Sequence, residues 1–303
     1  MSPDVAPDPS LEHLTAVLDN PRYRPLARLG GGAMGQVYLV EHVELGRRFA
    51  LKILREEFAC DAEFVDRMRL EAQAVARLYH PNVVEVTDFW LTRTGLPCIL
   101  MEHLTGRTLA DKLAECGHLD VEEAIQYARQ MLSGLGAAHA IGIVHRDVKP
   151  QNLFLHQTPV ERSRLKVMDF GVARVFAPLS ERTPRPLLVS TESGSIVGSH
   201  YFMSPEGARG ERVDHRADVY SAGLIFYLML VGHGPTSCLS PSAGPSREAE
   251  PPSAHVGPAI SAELDAVALR AIRLEPLQRY QSTQDFEAAL ARLGSQGHTT
   301  PSR

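Results

Sequence analysis

The chain has 303 residues, a formal net charge of −5, 44% hydrophobic residues and 22% charged residues. This composition is ordinary for a globular protein with a buried core, and the acidic charge argues against nucleic acid as a partner, since nucleic-acid-binding domains usually run strongly basic. The four cysteines form no C-x-x-C pair and the thirteen histidines form no H-E-x-x-H motif. The sequence therefore predicts neither a disulfide framework nor a metal site built from protein ligands alone.

The two ends of the chain are predicted to be tails. Residues 1–22 are expected to form a disordered N-terminal tail with at most one helical turn near residues 11–18, and residues 294–303 a polar C-terminal tail. The N-terminus shows no signal segment, and the longest apolar run, residues 219–231, is shorter than the ~20 residues that span a membrane. We expect a cytoplasmic protein with no membrane partner, no membrane anchor and no attached sensor domain.

Residues 23–104 alternate strand and turn signals and predict a small β-rich domain. Residues 37–40 and 49–54 have the β-branched and apolar composition of strands. One helix is predicted to interrupt the strands, with apolar residues at helical spacing. Those residues are Phe64, Met68, Val75 and Leu78.

Residues 105–293 are dominated by helix signals and predict a larger, mainly helical domain. Asp120 and Glu123 have the spacing of a capping box at the start of the first long helix. Ser282, three residues before Asp285, predicts a second N-terminal cap. Further helices are predicted over about residues 218–231, 261–274 and 282–293, the first of them buried.

Gly30, Gly32 and Gly35 form a G-x-G-x-x-G pattern, which lets backbone N–H groups approach a phosphate closely. The pattern alone is weak evidence for phosphate binding, because a dinucleotide-binding turn or a plain flexible loop can contain the same glycines. A dinucleotide-binding turn needs a helix directly after the glycines, whereas the β-rich residues 37–40 follow here. The pattern thus favours a loop between two strands that covers nucleotide phosphates.

Lys52 lies in an apolar strand, and Glu71 falls between Met68 and Val75 on the apolar side of the predicted helix. A carboxylate buried alone is costly and needs a cationic partner, for which Lys52 is the natural candidate. The alternatives are a solvated lysine at a strand edge and a glutamate at the solvated edge of the helix face.

Two further segments carry the groups that phosphoryl transfer requires. The run from His145 to Asn152 contains a base, a cation and a neutral metal ligand, which are Asp147, Lys149 and Asn152. Asp169, which follows a predicted strand and precedes Phe-Gly, is a hard oxygen ligand suited to Mg²⁺. Either segment alone could be a surface turn, but their shared order and spacing make coincidence a poor explanation.

Taken in order, these segments resemble the eukaryotic-like (Hanks-type) protein kinase family. Ser204-Pro-Glu206 stands where that family has A-P-E, and the resemblance covers about residues 23–293. The segments Met34–Tyr38 and His80–Val84 are most similar to the bacterial serine/threonine branch. The resemblance implies an α+β bilobal protein kinase fold, in which residues 23–104 are the N-lobe with one regulatory helix and residues 105–293 the C-lobe.

The resemblance also implies a serine/threonine protein kinase that uses ATP and Mg²⁺, with Mn²⁺ as a substitute, and acts on protein substrates. Asp147 would orient the substrate hydroxyl and accept its proton, Lys149 would stabilise the γ-phosphate, and Lys52, held by Glu71, would contact the α- and β-phosphates. Asn152 and Asp169 would hold the metal. The residues expected to contact the nucleotide are Leu29, Gly30, Gly31, Gly32, Gly35, Val37, Ala50, Lys52, Met101 (as gatekeeper), Glu102 and Leu104.

Arg146 points to regulation, because in this family an arginine before the catalytic aspartate binds a phosphate on the activation segment. Such a phosphate can order a loop through charge-assisted hydrogen bonds. Thr191 and Ser193 are the best-placed acceptors, for autophosphorylation or for an upstream kinase, with Ser190 and Ser195 next. The alternative is that these are ordinary loop hydroxyls.

Three other features follow from the resemblance. Asp218 would brace the catalytic loop, and Glu206 and Arg279 would form a buried ion pair. Lys149 after Asp147 is typical of serine/threonine kinases, and Ser199 stands where that branch usually has threonine.

Two segments of the sequence differ from the pattern of the family. The segment between Asp169 and Glu206 is long, and residues 232–260 are short and proline-rich where the family has a helix that docks substrates. The second departure favours a pseudokinase that acts as an ATP-binding scaffold, although Lys52, Asp147 and Asp169 oppose that alternative. A kinase-fold enzyme acting on a small molecule is a further alternative, opposed by the Ser-Pro-Glu motif and the hydroxyl-rich activation segment.

Overall fold

A computed structural model of the chain describes residues 14–15, 18, 20–32, 35–59, 62–158, 163–170, 201–235 and 249–296, without the side chains of Ala62, Arg67, Glu71 and residues 294–296. The chain divides into two compact units. Unit 1 comprises Met1–Tyr79 and Val84–Leu104, and unit 2 comprises His80–Val83 and Thr105–Arg303.

Unit 1 is built on a five-stranded antiparallel sheet with the order β1-β2-β3-β5-β4. Two helices, α1 (Glu56–Ala59) and α2 (Ala62–Val75), follow the third strand, so the predicted β-rich unit with an interrupting helix is present. The strands are β1 (Tyr23–Gly32), β2 (Gly35–His42), β3 (Arg48–Leu54), β4 (Val86–Leu91) and β5 (Pro97–Glu102).

The alternation of side chains along β3 separates the two faces of this sheet. Phe49, Leu51 and Ile53 are buried in a hydrophobic core that also includes Leu14 and Leu18. These two leucines are helical, as the turn expected near residues 11–18 requires, and they are 5% and 1% exposed. At these two residues the predicted tail is therefore packed against the sheet rather than disordered. Covering the apolar face of the sheet stabilises the segment, since burying a leucine side chain contributes about 1.5–3 kcal/mol.

Unit 2 is mainly helical and contains one three-stranded sheet of order β6-β7-β8. Its strands are β6 (Gly106–Thr108), β7 (Leu153–His156) and β8 (Arg164–Val167). Its helices are α3 (Leu109–Cys116), α4 (Val121–Ala140), α5 (Pro205–Ala208), α6 (Arg216–Val231), α7 (Ser253–Val256), α8 (Ala262–Ala271) and α9 (Thr283–Gln296), with 3₁₀ turns at Pro150–Asn152 and Pro276–Gln278.

Helix α6 is buried from Ala217 to Val231, which explains its long apolar run and confirms the predicted core helix. The predicted cap of α9 is confirmed, because the Ser282 hydroxyl accepts a hydrogen bond from the Asp285 N–H at 3.0 Å. The predicted capping box of α4 is wrong. Asp120 does precede the helix with extended backbone, but its side chain accepts no capping hydrogen bond. Thr108 and Asp111 form a capping box instead, at the start of α3.

Cys98 and Cys116 are free thiols, and burial raises the pKa of the Cys98 thiol to about 12. Within the described part of the chain, no helix combines the length and apolar character that crossing a membrane requires.

Candidate active site

The loop from His145 to Asn152, which is the catalytic loop of the family resemblance, has its backbone held by the carboxylate of Asp218. This fully buried residue lies in the first turn of α6 and accepts hydrogen bonds from the N–H of His145 at 2.7 Å and the N–H of Arg146 at 2.8 Å. Arg146 has a φ of 62°, a left-handed conformation that is costly for a residue with a side chain. The two bonds offset that cost, and they confirm the predicted brace by Asp218.

Asp147, Lys149 and Asn152 come together as the sequence predicted. Lys149 Nζ donates to Asp147 Oδ2 at 2.7 Å. Asn152 Nδ2 donates to the same oxygen at 3.2 Å and to the Asp147 carbonyl oxygen at 2.9 Å. Such charge-assisted bonds fix the orientation of the carboxylate, which is the property that a general base acting on a hydroxyl requires.

Asn152 and Asp169 lie at neighbouring strand ends. Leu153 of β7 pairs with Val167 of β8, and the next N–H outward, that of Met168, donates to the Asn152 carbonyl oxygen at 2.8 Å. Asp169 follows directly and is exposed. Because Asn152 uses its Nδ2 on Asp147, its side-chain oxygen is the atom that can ligate a cation.

This donor set fits Mg²⁺, which usually binds one or two protein oxygen ligands together with substrate phosphates and water. Among the described residues, no group of three or more histidine, cysteine or acidic side chains could hold a metal ion.

His145 connects the catalytic loop to the Asp-Phe-Gly segment. Its Nε2 donates to the Met168 carbonyl oxygen at 2.9 Å, and its Nδ1 accepts the Asp147 N–H at 3.3 Å. Its ring lies 4.8 Å from that of Phe170, centroid to centroid, and both side chains are buried. The two motifs are therefore joined through one buried imidazole.

The glycine pattern lies in unit 1 at the paired ends of β1 and β2, so its glycines belong to the strands and not to the predicted loop between them. Gly30 pairs with Val37 and Gly32 with Gly35 across the β1–β2 hairpin, which confirms the predicted strand after the glycines. Gly30, Gly31 and Gly32 are exposed, and Arg55 at the end of β3 donates to the Gly32 carbonyl oxygen at 3.2 Å. Leu29, immediately before the glycines, is 47% exposed.

The other predicted nucleotide residues project from one face of the sheet in unit 1. Val37 pairs with Lys52, and Ala50, two residues before Lys52, pairs with Met101. Directly paired residues and residues two apart share a face, so these four side chains lie on the face opposite Leu51. Lys52 lies in the central strand and is partly buried, which excludes a solvated lysine at a strand edge.

The remaining residues of the predicted hinge lie at the end of β5 and directly after it. Glu102 ends β5, and its Oε1 accepts the Glu85 N–H at 2.8 Å. Leu104, two residues later, is the last residue of unit 1.

Several predictions concern parts of the chain that the structure does not describe. Glu71 lies in α2, but its side chain is outside the described atoms, so the ion pair with Lys52 stays a prediction. Thr191, Ser193, Ser190, Ser195 and Ser199 all lie outside the described residues.

Glu206 and Arg279 form the predicted buried ion pair. Arg279 donates from Nη1 and Nη2 to the two carboxylate oxygens at 2.8 and 2.7 Å, and its side chain is 0% exposed. Its other bonds reach the carbonyl oxygens of Arg216, Leu274 and Arg273 at 3.0, 2.9 and 2.7 Å. Burial would raise the pKa of Glu206, but the Arg279 hydrogen bonds and charge outweigh it, and the pKa is lowered.

Gly35 should not tolerate a side chain, because an added Cβ would lie 2.1 Å from the Ile53 carbonyl oxygen. We expect Gly35→Ala to lower the free energy of unfolding by about 1–3 kcal/mol, the usual effect of overpacking. At Gly30 an added Cβ would meet no described atom within 4 Å, so Gly30→Ala is the matched control and should change stability by less than about 0.5 kcal/mol. Urea unfolding of both variants measures the difference, and equal stability would contradict the steric argument.

The protein kinase domain family matches the chain over residues 23–279. The chain belongs to the protein kinase domain family. Membership implies ATP and a divalent metal ion as its cofactors. It also confirms the resemblance that the glycine loop, the catalytic loop and the Asp-Phe-Gly segment carry in the sequence.

Relatives of this protein kinase domain are bacterial serine/threonine-protein kinases. PknB of Mycobacterium tuberculosis is 38% identical over 280 residues, covering 90% of this chain and 43% of PknB. PrkC of Bacillus subtilis is 36% identical over 271 residues, covering 88% of this chain and 40% of PrkC. The chain thus spans less than half the length of these curated relatives.

A solved structure of the PknI kinase domain from Mycobacterium tuberculosis superposes with a TM-score of 0.69 at 29% identity, covering 91% of this chain and 98% of that one. This similarity confirms the predicted α+β bilobal protein kinase fold.

Proposed function

We propose that the chain is a serine/threonine protein kinase that transfers the γ-phosphate of ATP to protein hydroxyl groups. The observation that carries the proposal is the arrangement around Asp147, whose carboxylate is held by Lys149 and Asn152 in a loop braced by Asp218. Positioning and charge neutralisation account for most of the catalysis of phosphoryl transfer, and these contacts supply a fixed base and a nearby cation.

Each residue has a proposed task. Asp147 orients the acceptor hydroxyl and takes its proton, and Lys149 stabilises the charge on the transferred phosphate. Lys52 contacts the α- and β-phosphates. Asn152 and Asp169 hold Mg²⁺, with Mn²⁺ as a substitute, and the bound metal neutralises charge on the phosphates.

The nucleotide itself is proposed to bind through unit 1. The exposed glycines allow close approach of backbone N–H groups to the phosphates. The apolar positions Val37, Ala50 and Met101, on the same sheet face as Lys52, offer contacts for adenine. Leu29, Glu102 and Leu104 complete the proposed set.

Serine and threonine are favoured over tyrosine as acceptors by Lys149 in the catalytic loop and by the names of the relatives, which are serine/threonine-protein kinases. Three further points stay predictions. They are that the substrates are proteins, that Thr191 or Ser193 is phosphorylated by the chain itself or by an upstream kinase, and that the location is cytoplasmic. The pseudokinase alternative is opposed by the presence of Lys52, Asp147 and Asp169, since pseudokinases typically lack one of these three groups.

The test is phosphate transfer by the purified chain with labelled ATP and Mg²⁺, alone and with a generic acceptor protein. We expect label on serine and threonine but not on tyrosine, and none above background in an Asp147→Asn variant run in parallel. Mapping the label tests Thr191 and Ser193, and full activity of a variant with alanine at both would oppose activation there. ATP binding without transfer, even after treatment with an active kinase, would favour the pseudokinase.

A further inference from the structure

The apolar face of the sheet in unit 1 is covered by two leucines from the N-terminal end of the chain. Leu14 and Leu18, here called the leucine pair, share one hydrophobic core with Tyr23 of β1 and with buried residues of β2, β3 and β5. This side of the sheet is called the outer face. The leucine pair precedes residues 23–279, which match the protein kinase domain family, so membership of that family assigns no role to the pair.

Trp90, the single tryptophan of the chain, lies on the outer face in the edge strand β4. It pairs with Cys98 of β5, which is buried in the same core, and it packs against that core itself. Its ring stacks on the ring of Tyr23 with the centroids 5.7 Å apart. Its indole Nε1 is buried and has no hydrogen-bond acceptor among the described residues. The fluorescence of Trp90 therefore reports whether the outer face is covered or open to water.

The contact of the leucine pair is one that the chain can gain or lose. Burial of two leucine side chains favours docking, whereas ordering the backbone that carries them opposes it. The buried Nε1 of Trp90 adds the cost of an N–H group without a partner. These opposing contributions are of similar size when two leucines order about five residues. Loss of one leucine should therefore shift the population from the covered to the open state of the outer face.

The outer face and the proposed nucleotide face are the two sides of one strand. Leu51 and Ile53 of β3 belong to the core that contains the leucine pair, and Lys52 between them projects from the opposite side. Gly35, the last glycine of the pattern, lies so close to β3 that an added Cβ would be 2.1 Å from the Ile53 carbonyl oxygen. A shift of β3 on uncovering the outer face would therefore move Lys52 and Gly35, two of the residues proposed to bind the phosphates.

We propose that the outer face is a docking site for an amphipathic helix, that the chain's own N-terminal stretch is its removable ligand, and that docking favours nucleotide binding on the opposite face. The anchors of that ligand are Leu14 and Leu18. In the sequence, Leu11, Leu14 and Leu18 follow the i, i+3, i+7 spacing of an amphipathic helix, which is the pattern that an apolar sheet face can bind. The effect on nucleotide binding rests on the proposed kinase function, whereas the docking itself does not.

The first test is Leu18→Asp, because a carboxylate is costly to bury on an apolar face without a partner. We expect the emission of Trp90 to move to longer wavelength and to be quenched more readily by acrylamide, while the far-UV circular dichroism matches wild type. The KM for ATP should rise about 5- to 20-fold with kcat within about twofold of wild type, since only the covered fraction binds nucleotide at full affinity. Leu18→Ala should shift both quantities in the same direction by less, and it carries the test if the aspartate variant does not fold.

Leu45→Asp is the matched control, because it makes the same replacement in unit 1 at a leucine that is 65% exposed, in the turn between β2 and β3. Its Trp90 emission and its KM for ATP should equal those of wild type, as is usual for a surface substitution.

A synthetic peptide of residues 8–20 supplies the ligand as a separate molecule. Added to Leu18→Asp, the wild-type peptide should return the emission of Trp90 and the KM for ATP toward their wild-type values. The same peptide carrying Leu18→Asp should change neither quantity. Rescue by a separate peptide is expected of a docking site and not of a leucine that acts only as part of the folded core.

Fluorescence and peptide binding do not depend on turnover, so they distinguish this proposal from the kinase function. If wild type transfers no phosphate, titration with a fluorescent nucleotide replaces the KM for ATP and the docking result still stands. Unchanged Trp90 emission in both Leu18 variants, an equal shift in Leu45→Asp, or a wild-type peptide that restores nothing would each overturn the docking site. A shifted emission with nucleotide affinity within about twofold of wild type would refute the link to nucleotide binding.

Discussion

Replacing Asp147 by asparagine should lower kcat about 1,000-fold while the affinity for ATP stays within about threefold of wild type. Asparagine has nearly the same shape and keeps an oxygen that can accept from Lys149, but its amide cannot take the proton of the substrate hydroxyl. General-base catalysis contributes about 10²–10⁴ to an enzymatic rate. Steady-state kinetics and a fluorescent nucleotide titration measure the two quantities separately.

Asp120→Asn is the control for that experiment, because it makes the same change of charge and shape at an exposed residue whose side chain makes no capping bond. Its kcat should equal that of wild type. If Asp147→Asn kept more than a tenth of wild-type kcat, Asp147 would not be the base. If its ATP affinity fell as far as its kcat, the aspartate would act mainly in binding.

Residues that lie close together in the sequence were the most predictable part of the site. Asp147, Lys149 and Asn152 belong to one short loop, so their types and spacing already predicted that they converge. The resemblance also predicted two distant contacts, Asp218 with the catalytic loop and Glu206 with Arg279, each joining residues 73 apart. Composition and periodicity alone contain no signal for pairs at that separation.

What the sequence did not predict depends on tertiary packing. Two leucines four residues apart, Leu14 and Leu18, are too short a pattern to predict burial. They are buried because they pack in the core on the apolar face of the sheet in unit 1. His139 is a single histidine in a predicted helix, and only the folded structure shows that it contacts Asp218. At Asp120 the capping pattern placed the start of α4 correctly, yet the hydrogen bond it implied is not formed.

Arg279→Met should destabilise the fold by about 3–5 kcal/mol, the cost of removing one partner from a buried ion pair. The change leaves the Glu206 carboxylate buried without its cation, and it also removes donors from three backbone carbonyl oxygens. Arg279→Lys should recover little, because an ammonium group cannot reproduce the planar fork that bonds both carboxylate oxygens. Urea unfolding monitored by fluorescence gives the difference in free energy.

The matched control is Arg209→Met, which breaks an arginine–glutamate pair on the surface. Arg209 Nε lies 2.6 Å from Glu211 Oε1, but the two side chains are 53% and 52% exposed. Exposed pairs contribute about 0–1 kcal/mol, so this variant should unfold almost like wild type. Similar losses in Arg209→Met and Arg279→Met would mean that burial of the pair is not the cause.

The dependence on pH identifies the carboxylate as the source of the effect. In wild type the pKa of Glu206 is lowered, so its contribution to stability is present above the unfolded pKa of about 4.3 and is lost as the pH falls through the folded pKa. In Arg279→Met, burial without the cation should raise that pKa, so the penalty is largest at neutral pH and decreases as the carboxylate becomes protonated. The stability gap between the two proteins should therefore narrow from pH 7 toward pH 4. A gap that stayed constant over this range would assign the loss to the backbone carbonyl bonds of Arg279 rather than to the ion pair.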